Sequence, residues 1–125
     1  MSNLSNNVNI GGTVTIVSAG TRVVTSLTDT FNTTGSNYIS QNSTVSTASW
    51  KVLDQGNNTN NYYNFFTNLD STSSCKIAIN NTSSYAAIIP PEGVAIIPNA
   101  GSCVIYALAT GSNPSILLQY TMVEA

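Results

Sequence analysis

The side chains of this 125-residue chain able to do demanding chemistry are few: Cys75 and Cys103; Asp29, Asp54, Asp70, Glu92 and Glu124; Arg22, Lys51 and Lys76; and no histidine. Acid–base catalysis needs two converging carboxylates, one with a raised pKa. Here each acid stands alone, mostly in or beside a turn-forming stretch, where aspartate commonly hydrogen-bonds its own backbone. Serines abound, but without histidine only Lys51 or Lys76 remains to activate one, and the local sequence supports no such pair. Calcium takes roughly 6–8 oxygens, usually with several carboxylates, whereas Asp70 and its neighbouring hydroxyls bring one charge. Cys75 and Cys103 show no CxxC spacing and no histidine companion, so neither zinc nor a redox motif is indicated. Both lie in apolar, strand-like runs. Two buried thiols and a cross-strand disulfide are the open readings, the second implying an oxidising compartment. No catalytic, cofactor or metal site is expected.

The one dense aromatic cluster is Tyr62, Tyr63, Phe65 and Phe66. A strand points alternate members to opposite faces, so one pair is expected in the core. The other is expected to meet a subunit interface or a glycan. Six Asn-x-Ser/Thr sequons, at Asn3, Asn32, Asn42, Asn57, Asn80 and Asn81, look numerous. With 33 Ser plus Thr and 17 Asn in the chain, about four or five arise by chance, so composition explains them.

That composition also bounds the partners. Charged residues are 6% of the chain, against about 25% in ordinary domains, while Ser, Thr and Asn make up 50 of 125 residues. Three cations cannot form the basic footprint that nucleic acid requires. A net charge of −2 steers neither sign of ligand. No apolar run reaches the length of a membrane-spanning helix. Residues 1–9 lack the basic and apolar regions of a signal peptide.

The elements that must position these residues are strands. Apolar residues alternate with Thr, Ser and Asn in short runs bounded by Gly, Pro, Asn and Ser, and helix formers are nearly missing. Gly11-Gly12 reads as a breaker, Ser18-Ala19-Gly20 as a turn, and residues 32–37 as a loop. Residues 55–61 are expected entirely on the surface. Pro90-Pro91-Glu92-Gly93 is expected to turn tightly, with glycine taking the unusual φ. The pattern predicts an all-β fold, an antiparallel, jelly-roll-like β-sandwich of nine or ten short strands. Residues 1–10 are expected to form an N-terminal arm and residues 11–125 a single sandwich domain.

The C-terminal third carries a further signal. A strand from Cys75 ends in Asn80-Asn81-Thr82-Ser83-Ser84. Ile88-Ile89-Pro90-Pro91-Glu92-Gly93-Val94 and Ala95-Ile96-Ile97-Pro98 follow. Then come Ile105-Tyr106-Ala107-Leu108-Ala109, a Thr-Gly-Ser turn and Ile116-Leu117-Leu118-Gln119-Tyr120, ending in Val123-Glu124. This order resembles small β-sandwich virion proteins of tailed bacteriophages, namely capsid decoration (cement) proteins and related head-fibre and tail domains. The resemblance covers about 50 residues, and the first 50 match no such pattern. It implies a non-enzymatic structural protein without cofactors, located in the virion and assembled in the host cytoplasm. Its implied partners are other copies of itself, by analogy in a trimer, and the major capsid protein or another virion protein. Nucleic acid and membrane are not expected as partners. The rival reading is an extracellular adhesin or lectin-like module binding carbohydrate through residues 62–66 or the Asn-rich loop.

Overall fold

The computed structural model describes residues 5–34, 37–59, 61–98 and 103–124. Among them there is no helix, and ten strands pair antiparallel in three sheets. The chain divides into two compact units, Met1–Ser36 and Asn37–Ala125.

The first unit is a hairpin of two 14-residue strands, β1 (Ser5–Ser18) and β2 (Thr21–Thr34). Ala19 and Gly20 join them with φ of 47° and 82°. Two consecutive positive φ values mark a type I′ turn, whose twist matches that of the strands it joins. The register is unbroken from Ser5–Thr34 to Ser18–Thr21. Gly11 and Gly12 do not break it; they stay in the ladder opposite Thr28 and Leu27. Glycine accepts extended backbone, and the β-branched residues beyond it favour that conformation. The boundary expected at residues 10 and 11 therefore falls inside β1. Likewise β2 runs on through Thr34, into the stretch expected to be a loop. Alternate rungs separate two phases. One holds Val8–Phe31, Ile10–Asp29, Gly12–Leu27, Val14–Thr25 and Ile16–Val23; the other is Ser, Thr, Asn and Gly except for Val17, Arg22 and Val24.

The second unit holds β3 (Tyr38–Ser46), β4 (Lys51–Val52), β5 (Asn61–Asn68), β6 (Ser74–Ile79), β7 (Ala87–Ile89), β8 (Val94–Pro98), β9 (Ile105–Thr110) and β10 (Ser115–Glu124). Its sheets have the orders β3-β10-β5-β8 and β4-β9-β6-β7. Four pairs are nested: β3 with β10, β4 with β9, β5 with β8, β6 with β7. This unit is thus a long antiparallel ribbon doubled back between β6 and β7. Rolling that ribbon adds the β10–β5 and β9–β6 pairings. This is the jelly-roll form of the β-sandwich.

Alternation explains the core. Val45, Phe66, Ile116, Leu118, Tyr120 and Met122 face inward from the first sheet. Cys75, Ile77, Ile89, Ile105, Ala107 and Ala109 meet them from the second. The small Ala107 and Ala109 of β9 share this core with the large Leu118, Tyr120 and Met122 of β10, a mixture of sizes that lets layers interdigitate. The Pro90–Gly93 turn closes with Gly93 N–H donating to Pro90 O at 2.9 Å. The positive φ, 59°, falls on Glu92 and not on the glycine. Gly93 answers a different need, because a Cβ there would lie 2.7 Å from Pro90 Cγ.

Candidate functional site

The register brings residues from four distant strands onto the outer face of the β3-β10-β5-β8 sheet. Three rows cross it: Tyr38–Val123–Tyr63–Pro98, Ser40–Thr121–Phe65–Ile96, and Asn42–Gln119–Thr67–Val94. None of these positions is Asp, Glu, Lys or Arg. The face grades from polar on β3 to apolar along β5 and β8. Tyr38 and Val94 are each 71% exposed and Ile96 is 49% exposed. Val123, between Tyr38 and Tyr63 in its row, is buried. Ser40 and Thr121 hydroxyls bond across the polar half at 2.8 Å. On the apolar half the Tyr63 and Phe65 rings stack, with centroids 6.0 Å apart and planes 19° apart. That spacing lies within the range for offset aromatic pairs. Among the described residues β8 is an edge strand, paired with β5. Pro98 ends it without an N–H to offer, which blunts further strand addition at that end.

The aromatic cluster read from the sequence thus divides across the sheet. Phe66 is in the core, while Tyr63 and Phe65 are half-buried on the outer face. The Tyr62 side chain lies outside the described residues. The opposite sheet differs in charge, since its outer face carries Lys76, whose ammonium sits 4.8 Å from the centroid of the Tyr85 ring. Tyr38, Val94, Ile96 and Val123 escaped sequence reasoning because they join the aromatics only through register. Their one local trace is at residues 94–97, where both phases of the alternation are apolar.

The acids hold local structure. Asp70 Oδ2 accepts the N–H groups of Thr72 and Ser73 at 3.0 and 2.6 Å, together with the Thr72 hydroxyl, and the Asn113 amide donates to the same carboxylate. The backbone donors of Thr72 and Ser73 lower the pKa of Asp70. A carboxylate so engaged with N–H donors is a turn clamp. Asp54 accepts Gly56 N–H at 2.8 Å, and Glu124 accepts the Thr59 N–H and hydroxyl. Among the described residues no three Cys, Asp or Glu side chains gather as a metal site.

Both cysteines are buried in the core cluster. Cys75 is a free thiol, so the cross-strand bond to Cys103 is not formed. Burial pushes its pKa up to about 11, the reverse of an activated thiol. Tyr120 is raised mainly by burial as well; its hydroxyl donates to Asp54 O at 2.9 Å and accepts from Gln41 Nε2. The loop at residues 55–59 is not wholly on the surface. Asn58 is buried, and its amide donates to Met122 O at 3.0 Å, so a loop side chain serves a strand carbonyl from within.

The class defined here is an all-β jelly-roll sandwich with an uncharged, partly apolar sheet face. No family model, curated protein or solved structure matches the chain.

Proposed function

We propose that the protein is a non-enzymatic structural component of a phage-type virion, a decoration or cement protein. In this reading it stabilises the head by associating with itself, in threes by analogy, and with the major capsid protein. It is assembled in the host cytoplasm and resides in the virion. The observation that carries the reading is the outer face of the β3-β10-β5-β8 sheet. Its three rows contain no ionised side chain, so covering it incurs no ion desolvation. Its apolar half supplies area removed from water, and its Ser, Thr, Asn and Gln supply direct or water-bridged hydrogen bonds. The test is co-sedimentation with tailed-phage heads assembled from major capsid protein, paired with native mass spectrometry. Phe65→Asp with Ile96→Asp is expected to weaken head binding at least tenfold while leaving the melting transition in place. A strict monomer without affinity for heads would overturn the reading.

The stacked Tyr63 and Phe65 rings favour a second reading, a carbohydrate platform on an adhesin or lectin-like module. A glycan array decides between them. Saturable sugar binding that disappears in Tyr63→Ala supports the platform and argues against the virion role.

A further inference from the structure

We infer that β3 pairs edge to edge, antiparallel, with β3 of a second copy of this chain, so that two β3-β10-β5-β8 sheets join into one across a two-fold axis at Asn42. This rests on the self-association proposed above and names the strand that carries it. The seam joins copies in pairs and is separate from any contact that gathers them in threes. Every residue it uses belongs to the second unit.

Hydrogen-bond parity identifies the groups that β3 leaves over. Asn37 O accepts Glu124 N–H at 3.0 Å, and Thr47 N–H donates to Pro114 O at 3.1 Å. The odd residues of β3 are therefore the ones bonded to β10, and the even ones turn their N–H and C=O groups the other way. Those are Tyr38, Ser40, Asn42, Thr44 and Ser46. Among the described residues no strand pairs on that side. Lys51 Nζ reaches one of these carbonyls, Thr44 O, at 3.1 Å, and a carbonyl keeps a second lone pair for another donor.

The described edges of the sandwich are not alike. β4 is two residues long, β7 is three and runs into Pro90 and Pro91, and β8 is five and ends in Pro98. Short length and proline are common ways of blunting an edge. β3 is nine residues long without Pro, Gly or a charged side chain. Its ladder to β10 is unshifted from Tyr38–Val123 to Ser46–Ser115. It is the one long, regular edge among them.

A second copy fits this edge better than a foreign peptide does. An added peptide takes its specificity from pockets for alternate side chains. The side chains beside this edge on the outer face include Ser40, Asn42 and Thr44, which are short, polar and exposed. Such an edge offers main-chain bonds, and a strand already held in a sheet makes them at little ordering cost. β3 is also self-complementary. With Asn42 opposite Asn42 of the second copy, Ser40 faces Thr44 and Tyr38 faces Ser46, and each even residue exchanges both of its bonds with its opposite. No like charges meet. The seam places the polar β3 margin at the middle of the joined sheet and leaves the apolar halves along β5 and β8 free for the head.

The test uses the full chain, with sedimentation equilibrium for assembly and thermal melting for the fold. On the axis residue 42 meets itself, at about 5.5 Å between Cα atoms. Asn42→Lys alone and Asn42→Asp alone are each expected to raise the dissociation concentration about fivefold or more, and an equimolar mixture to return within about twofold of wild type through mixed pairs. Asn42→Pro is expected to lose pairing and keep its melting transition, because that N–H serves no bond to β10. Ser43→Pro, which loses a bond to β10, is expected to lower the transition. Hydrogen exchange is expected to protect the Ser40 and Asn42 amides only above the dissociation concentration, and the Gln41 and Ser43 amides at every concentration. A monomeric wild type overturns the seam. So does protection of Ser40 and Asn42 that ignores concentration, which would assign the edge to another segment of the same chain. Single variants that pair like wild type, or a mixture no better than either variant, overturn it as well. The two proposals fail separately. Assembly and head binding that ignore residue 42 remove the seam alone, whereas Asn42-dependent pairs that ignore heads remove the virion role alone.

Discussion

Replacing Asn68 should expose how the jelly roll fixes its corners. This side chain is fully buried at the end of β5. Its Nδ2 donates to Ser73 O at 2.7 Å, Pro90 O at 3.1 Å and Ile89 O at 3.3 Å, and its Oδ1 accepts Asp70 N–H at 3.0 Å. One amide thus ties the β5–β6 turn to the start of the β7–β8 turn. Asn68→Ala leaves Ser73 O and Ile89 O without this partner in a buried site, and Asp70 N–H and Pro90 O without it in a part-buried one. At about 1–3 kcal/mol for each of the two buried carbonyls, and with Pro90 O still served by Gly93 N–H, the net loss is about 2–5 kcal/mol. For a unit of this size that lowers the melting temperature by about 10 °C or more. Asn68→Asp is the sharper test. A carboxylate cannot donate to three carbonyls, so the folded state must hold it protonated and its pKa rises above the unfolded value of about 3.9. Stability is then fully present below about pH 3.9 and falls by about 1.4 kcal/mol per pH unit as pH rises towards the folded pKa. Urea melts of Asn68→Asp between pH 3 and pH 7 measure this directly. A wild-type-like Asn68→Ala, or an Asn68→Asp variant whose stability ignores pH relative to wild type, refutes the reasoning.

Asp70 works with the opposite sign. Its pKa is lowered in the folded chain, so its contribution is present above the ordinary value of 3.8 and lost as pH falls through the folded value. Asp70→Asn should flatten the acid side of the stability profile in chemical melts. Cys75, with a pKa of about 11 and no exposed surface, holds only about one thiolate in a thousand at pH 8. It should resist iodoacetamide until the sandwich unfolds, which mass spectrometry of labelled peptides checks. Tyr120→Phe removes the link between Gln41 and Asp54 O and should cost about 1–2 kcal/mol in denaturant melts without changing the strand signal in circular dichroism.

The sandwich was legible because its signal is local. Period-2 alternation at residues 75–79 and 115–123, broken by turn residues, states both the element and the face it buries. The division of Phe66 from Tyr63 and Phe65 follows from the same rule. Where one residue serves two needs, local reading went astray. Gly93 avoids a clash with Pro90 and leaves the positive φ to Glu92. Asn58 looked like solvent-facing loop, yet it satisfies Met122 O from within. Gly11 and Gly12 read as an end, although the paired strand beside them holds the ladder open. The outer face was hidden for a different reason. Tyr38, Val123, Tyr63 and Pro98 form a row only once β3, β10, β5 and β8 are in register, and no window of sequence contains that register.

The scarcity of charge bears on how this chain can meet a partner. A surface rich in Lys and Glu keeps copies apart by repulsion and by the cost of drying ions. Ser, Thr and Asn keep a chain soluble while leaving it cheap to cover, since each hydroxyl or amide can trade a water for a partner group. Selectivity must then come from shape and hydrogen-bond register. The β3-β10-β5-β8 face has both, with aromatic relief on one half and aligned hydroxyls such as Ser40 and Thr121 on the other.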